Sequence, residues 1–168
     1  MDSNTVKIRP ISIDDFEEVL KWSTDDAFCI ANEWELHRDP RKVYDWWKHC
    51  VELNTTDFIR FGIEWNDRLI GYADLANIQD NAGELGIAIG DSTLWGKGLG
   101  SLAANQFMAY ASAEYRISVF HAETHETNLR SRKMLEKLGF QEVSRIGFET
   151  YKGIKSQLIQ YQLMMASA

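Results

Sequence analysis

The segment Glu84-Leu85-Gly86-Ile87-Ala88-Ile89-Gly90, followed by Trp95-Gly96-Lys97-Gly98-Leu99-Gly100, constrains this chain more than any other. An apolar strand with one embedded carboxylate enters a glycine-rich turn that carries a lysine. A helix-forming stretch, Ser101 to Ala113, follows directly. That order builds an anion site. Glycines let the backbone turn tightly, so several N–H groups can converge on one phosphate. The start of the helix adds roughly half a positive elementary charge, and Lys97 adds a whole one. The segment predicts a ligand with a phosphate or pyrophosphate, held beside a carboxylate able to act as a base.

Two common phosphate loops are excluded by counting. A P-loop requires glycine five residues before Gly96, where Asp91 stands, and Ser or Thr after Lys97, where Gly98 stands. A dinucleotide fingerprint accepts Gly96 and Gly98 but meets Ser101 at its third glycine. It also lacks an acidic residue at the end of a second parallel strand about 20 residues on. Nucleotide hydrolysis and hydride transfer are therefore disfavoured.

The 168 residues suit one domain with a full core, spanning 1–168. No apolar run approaches the ~18 residues of a membrane helix. Met1-Asp2-Ser3-Asn4 lacks the basic start and apolar run of a signal peptide. Cys29 and Cys50, far apart in such a chain, are expected to be reduced, and the location cytoplasmic. A net charge of −7 argues against a nucleic-acid partner and leans towards a cationic substrate such as an amine.

No repeat or linker divides the chain. Val6 to Arg9 reads as a strand. Ser12, with Asp15 three residues on, caps a helix to about Trp22. Asp39-Pro40 opens a helix to about Leu53. Phe58 to Trp65 and Leu69 to Leu75 read as a hairpin, and Gly83 to Gly90 is the signature strand. After helix Ser101 to Ala113 come strand Ile117 to Thr124, helix Leu129 to Leu138, strand Gln141 to Ile146 and strand Ser156 to Met164. Interspersed strands and helices, with one hairpin early and another late, predict a mixed α/β sandwich.

At this point the residues resemble a family. The loop is similar to the acetyl-CoA pyrophosphate loop of the GNAT N-acetyltransferases: Gln or Arg, two residues, Gly, one residue, then Gly or Ala. Here Trp95, Gly98 and Gly100 fill those slots, with Trp95 where Gln or Arg is usual. The form Trp95-Gly96-Lys97-Gly98 resembles the RimJ/RimL-like branch of ribosomal-protein N-terminal acetyltransferases. A second family motif follows in order, from Asn128 and Ser131 through Leu135-Glu136-Lys137 to Gly139-Phe140. The resemblance implies a largely antiparallel central sheet with helices on both faces, splayed around an acetyl-CoA cleft. It implies acetyl-CoA as co-substrate, bound by the backbone of Ile87, Ala88 and Ile89, by Trp95 through Ser101, and by Asn128. A homodimer is plausible on the same ground.

Acetyl transfer needs a neutral amine, yet an alkyl ammonium has a pKa near ~10.4. A base must take its proton, directly or through water. Glu84, on the strand leading into the loop, is the expected base, ahead of Asp74 and Glu123. The tyrosine that serves many family members as an acid is replaced by Leu135, and Ser131, one turn after Asn128, is its expected substitute. Tyr110 and Tyr115 read as core or surface aromatics. Trp34 and Glu33, in a region that forms the acceptor pocket in the resembling family, are expected to bind the substrate amine. His121, Glu123 and His125 share a strand face, but their spacing matches no metal motif and no metal is expected. The acceptor reads as a protein N-terminus, polyamine, aminoglycoside or amino sugar. A non-catalytic acyl-CoA-binding or sensing module on the same fold, or an unrelated nucleotide binder, are the alternatives.

Overall fold

The computed structural model describes residues 5–166, so Met1 to Asn4 lie outside the described residues. The chain opens with β1 (Lys7–Pro10), then a short 3-10 turn at Ile13–Asp15 that runs into α1 (Phe16–Ser23). The expected capping box is formed. The Ser12 hydroxyl accepts from Asp14 N, and the Asp15 carboxylate accepts from Ser12 N at 2.9 Å. A six-residue helix not anticipated from the sequence, α2 (Asp26–Ala31), is capped by Asp25, whose side chain accepts from Phe28 N. It is too short for its apolar period to stand out. Asp39 and Pro40 start α3 (Pro40–Glu52) as expected.

The sheet follows: β2 (Ile59–Trp65), β3 (Arg68–Gln79) and β4 (Ala82–Ile89), then α4 (Leu99–Tyr115), β5 (Val119–His125), α5 (Leu129–Leu138), β6 (Gln141–Ser144), β7 (Phe148–Tyr151) and β8 (Ile154–Met164). The strand order is β1-β2-β3-β4-β5-β8-β6, with β7 pairing β8. Every pair is antiparallel except β4 with β5. The late hairpin is β7–β8, and β7 was not separated from its loop in the sequence because its four residues are too few to show alternation.

Strand alternation divides the interior between two faces. On one, Ala73, Leu75 and Leu85 pack with Ala103, Phe107 and Met108 of α4 and Leu135 of α5. On the other, Tyr72 and Ala88 pack with Val19 and Trp22 of α1, Phe28 of α2 and Trp47 of α3. The Trp47 indole N–H donates to Ser12 O at 2.9 Å, so α3 is pinned to the cap of the first helical turn. Among the described residues no helix is long and apolar enough to cross a membrane.

Arg60 of β2 clamps Asp74 of β3 with Nε–Oδ1 at 2.6 Å and Nη2–Oδ2 at 2.7 Å, under the ring of Tyr72. Burial pushes the Asp74 carboxyl up, against the downward pull of Arg60. Replacing Arg60 by leucine strands a buried carboxylate and is expected to cost about 3–5 kcal/mol at pH 7. Without Arg60 the folded-state pKa of Asp74 lies further above its unfolded value, so the folded form binds the proton more tightly. The deficit of Arg60→Leu relative to wild type should therefore shrink as pH falls through that raised pKa, which urea unfolding at pH 7 and pH 4 would show. Gly90 follows β4 against the buried Trp22, and a Cβ there would lie inside the indole ring. Gly90→Ala should lose about 1–3 kcal/mol in the same assay, as overpacked cores do.

Candidate active site

Parallel pairing of β4 with β5 covers only Ala82–Glu84 against Val119–His121. Beyond it, β4 stays on β3 as far as Ile89 opposite Gly71, and β5 stays on β8 as far as His125 opposite Leu158. Each strand therefore turns one edge to a widening gap. Two adjoining cavities occupy it, of about 300 and 270 Å³. Ile87, Asn128, Ser131 and Met134 line both.

The first cavity lies at the glycine loop. Gly96 and Gly98 both have φ +79°, a conformation that favours glycine, and a Cβ at either would meet only open space. Their need is conformational, and it leaves bare backbone facing the cavity. Gly98 caps α4 without any side-chain bond, so the first N–H groups of a 17-residue helix lack an intrahelical partner. Gly96, Gly98, Leu99, Gly100 and Ser101 all line this cavity, as do Ile87 and Ile89. Trp95 also lines it, and its indole N–H donates to Ile89 O at 3.0 Å, tying the loop to the end of β4. The Arg130 guanidinium lies over that indole, 3.6 Å from the ring centroid, and burial lowers its pKa.

Lys97 is exposed and does not line the cavity. Arg130, Lys133 and Lys137 do line it. They stand three and four residues apart on α5, the spacing of one helix face. The same spacing is visible in the sequence after Asn128. Ala88 is buried against the α1–α3 core, so only its backbone is available to the gap.

The second cavity contains the carboxylates and a histidine. Asn128 caps α5, its Oδ1 accepting from Ser131 N at 3.2 Å. Glu33 follows α2 with a left-handed φ of +57° and lines the cavity with Glu123, His125, Glu149 and Tyr151. His125 stacks on Tyr151 with ring centroids 4.2 Å apart and planes 11° apart. Its Nε2 lies 3.9 Å from Glu149 Oε2, and its Nδ1 is buried without a partner. The Tyr151 hydroxyl donates to Ala31 O at 3.5 Å, and burial pushes its phenol up. Glu149 and Tyr151 were missed because they sit on the short β7.

Several expected site residues fall elsewhere. Glu84 is half-buried, accepts from Asn77 Nδ2 at 3.1 Å, and lines neither cavity. Glu84 stands where β4 still pairs with β5, opposite His121, short of the point where the strands separate. Asp74 is occupied by Arg60. Trp34 packs edge-on between Phe28 and Trp46, at 4.9 Å from each, and lines neither cavity. His121 is exposed at the closed end of the gap; His125 instead meets Glu33 and Glu149 from other elements.

Residues 5–141 match the acetyltransferase (GNAT) domain family. An uncharacterised protein of Methanocaldococcus jannaschii, MJ1062, is 29% identical over 153 residues, 86% of this chain and 30% of that protein. The chain thus spans under a third of the length of this curated relative. Among solved structures, spermidine N-acetyltransferase from Vibrio cholerae in complex with CoA and spermine is similar at TM-score 0.80 and 17% identity, covering 96% of each chain. RimL, a ribosomal L7/L12 alpha-N-protein acetyltransferase in complex with coenzyme A, is similar at TM-score 0.84 and 13% identity, covering 98% of this chain and 96% of that one. These likenesses match the splayed sheet described above, and the family match spans both the glycine loop and the helix capped by Asn128. The chain belongs to the GNAT acetyltransferase family.

Proposed function

We propose that this chain is an acetyl-CoA-dependent N-acetyltransferase of the RimJ/RimL-like branch that acetylates a primary amine. The observation that carries this reading is the gap between β4 and β5, which runs from the glycine loop to a cavity of carboxylates. An extended pantetheine arm can add to the free edge of β4 at Ile87–Ile89 as a short strand would. Its pyrophosphate then meets the backbone of Gly96 to Ser101 and the start of α4. Arg130, Lys133 and Lys137 supply the positive charge for the remaining phosphate oxygens. The thioester falls at the junction of the two cavities, beside Asn128 and Ser131.

The amine nitrogen attacks the thioester carbonyl, and collapse of the tetrahedral intermediate forms the amide and expels the CoA thiolate. The Ser131 hydroxyl is placed to hydrogen-bond the leaving sulfur. A primary amine suits an acidic cavity in a chain of net charge −7. The named acceptors of the similar structures, spermidine and a ribosomal protein, are both amines.

The test is thiol release from acetyl-CoA across peptides with free N-termini, spermidine, aminoglycosides and amino sugars. Turnover on one amine class is expected. CoA binding with no thiol release on any class would instead mark a non-catalytic acyl-CoA-binding module. Arg130→Ala should weaken CoA binding about 10–100-fold by calorimetry, the worth of one hydrogen bond to a charged group. Ser131→Ala should lower kcat roughly tenfold while leaving the affinity for CoA in place, which initial rates at saturating acetyl-CoA would show.

A further inference from the structure

Glu33, His125 and Glu149 reach the second cavity from three different elements, and each offers one acceptor atom within 4.8 Å of the others. A primary ammonium has three tetrahedral N–H donors, and hydrogen bonds of about 2.8 Å from them end on acceptors about 4.6 Å apart. The three acceptors lie within that reach, with His125 Nε2 and Glu149 Oε2 at 3.9 Å. The set is mixed rather than merely acidic: two carboxylates carry charge, and the third acceptor is an imidazole nitrogen that can take a proton.

We infer that Glu33 and Glu149 dock the reacting ammonium and that His125 Nε2 removes its proton before attack on the thioester. This assignment rests on the acetyltransferase reading and supplies the base that Glu84, outside the cavity, does not. The His125 ring is fixed by its stack on Tyr151, and only 13% of its side chain is exposed. Nε2 is the nitrogen beside Glu149. The proton passes from the ammonium nitrogen to Nε2, and the freed lone pair forms the new N–C bond. The C–S bond breaks with its electron pair on sulfur, the second proton on the attacking nitrogen passes to that thiolate as the amide forms, and the imidazolium then releases its proton to water. Glu33 and Glu149 face the imidazolium and stabilise it, as a carboxylate does for a catalytic histidine. The other charged or titratable groups around the ring are Tyr151, stacked on it, Arg130, which acts on Tyr151, and Glu123 and Glu126 of its own segment.

The experiment compares wild type, His125→Gln, His125→Asn, Glu33→Gln and Glu84→Gln with acetyl-CoA and whichever of spermidine, kanamycin, glucosamine or a serine-terminated peptide turns over. His125→Gln and His125→Asn should each lower kcat by about 10²–10⁴-fold, the usual worth of a general base. Their calorimetric affinity for CoA should stay within about threefold of wild type, which reports an intact fold. Their residual rate should climb roughly tenfold per pH unit between pH 7 and 9 as free amine accumulates, whereas the wild-type rate should flatten. Glu33→Gln should raise KM for the amine at least about tenfold with a smaller change in kcat, and Glu84→Gln should stay within about threefold of wild type. A His125 variant with near wild-type kcat, or with the wild-type pH profile, overturns the proposal. So does activity that EDTA abolishes and zinc restores, because the three acceptors would then hold a metal. If the wild type releases no thiol with any amine, the acetyltransferase reading fails. The docking cluster is then judged by NMR titration of n-butylamine into the wild-type CoA complex: binding weakened at least about tenfold by Glu33→Gln keeps it, and unchanged binding removes it.

Discussion

Two neighbouring strands stop bonding to each other partway along their length, and the rest of the site depends on that separation. β4 and β5 are each held on their outer side, by β3 and β8, so neither is free to close the gap. Unpaired backbone groups along both edges must find water or a ligand, since leaving one buried and unmet costs about 1–3 kcal/mol. A ligand chain rich in amides answers that need with geometry a strand already possesses. The sheet therefore serves both as the core of the fold and as the wall of the cleft.

The charges of the cleft are arranged by the same separation. One end is positive: backbone N–H groups at the start of α4, with Arg130, Lys133 and Lys137 from α5. The other end is negative, with Glu33, Glu123 and Glu149. The start of α5 links them, since Asn128 and Ser131 line both cavities. Trp95 shows how a departure from a familiar loop is absorbed. Its indole fastens the loop to Ile89 and presents a face on which Arg130 stacks, so the cation arrives from a different element.

Much of this was legible in the residues. The glycine loop, the capping box at Ser12, the Asp39-Pro40 helix start and the helix Leu129–Leu138 are local devices, and each formed where its residues stood. Glu84 lines neither cavity because β4 still pairs with β5 there, opposite His121, and the residues do not say where that pairing stops. Trp34 was misplaced because an aromatic beside carboxylates reads the same in sequence whether it lines a pocket or packs against Phe28 and Trp46. α2 and β7 were hidden by their shortness, and they carry the region around Glu33 and the residues Glu149 and Tyr151.

By itself the sequence determined the mixed α/β order, the strand–loop–helix unit that cradles an anion, and the second motif that starts α5. These follow from backbone conformation, apolar period and capping, all of which act over a few residues. Tertiary structure alone decided where β4 leaves β5, and that His125 of β5 meets Glu33 from beyond α2 and Glu149 of β7. Such meetings depend on how distant elements pack against both faces of a sheet. No short window of sequence contains that information, because Glu33 lies 92 residues before His125 and Glu149 lies 24 after it, yet the three meet within a few ångströms.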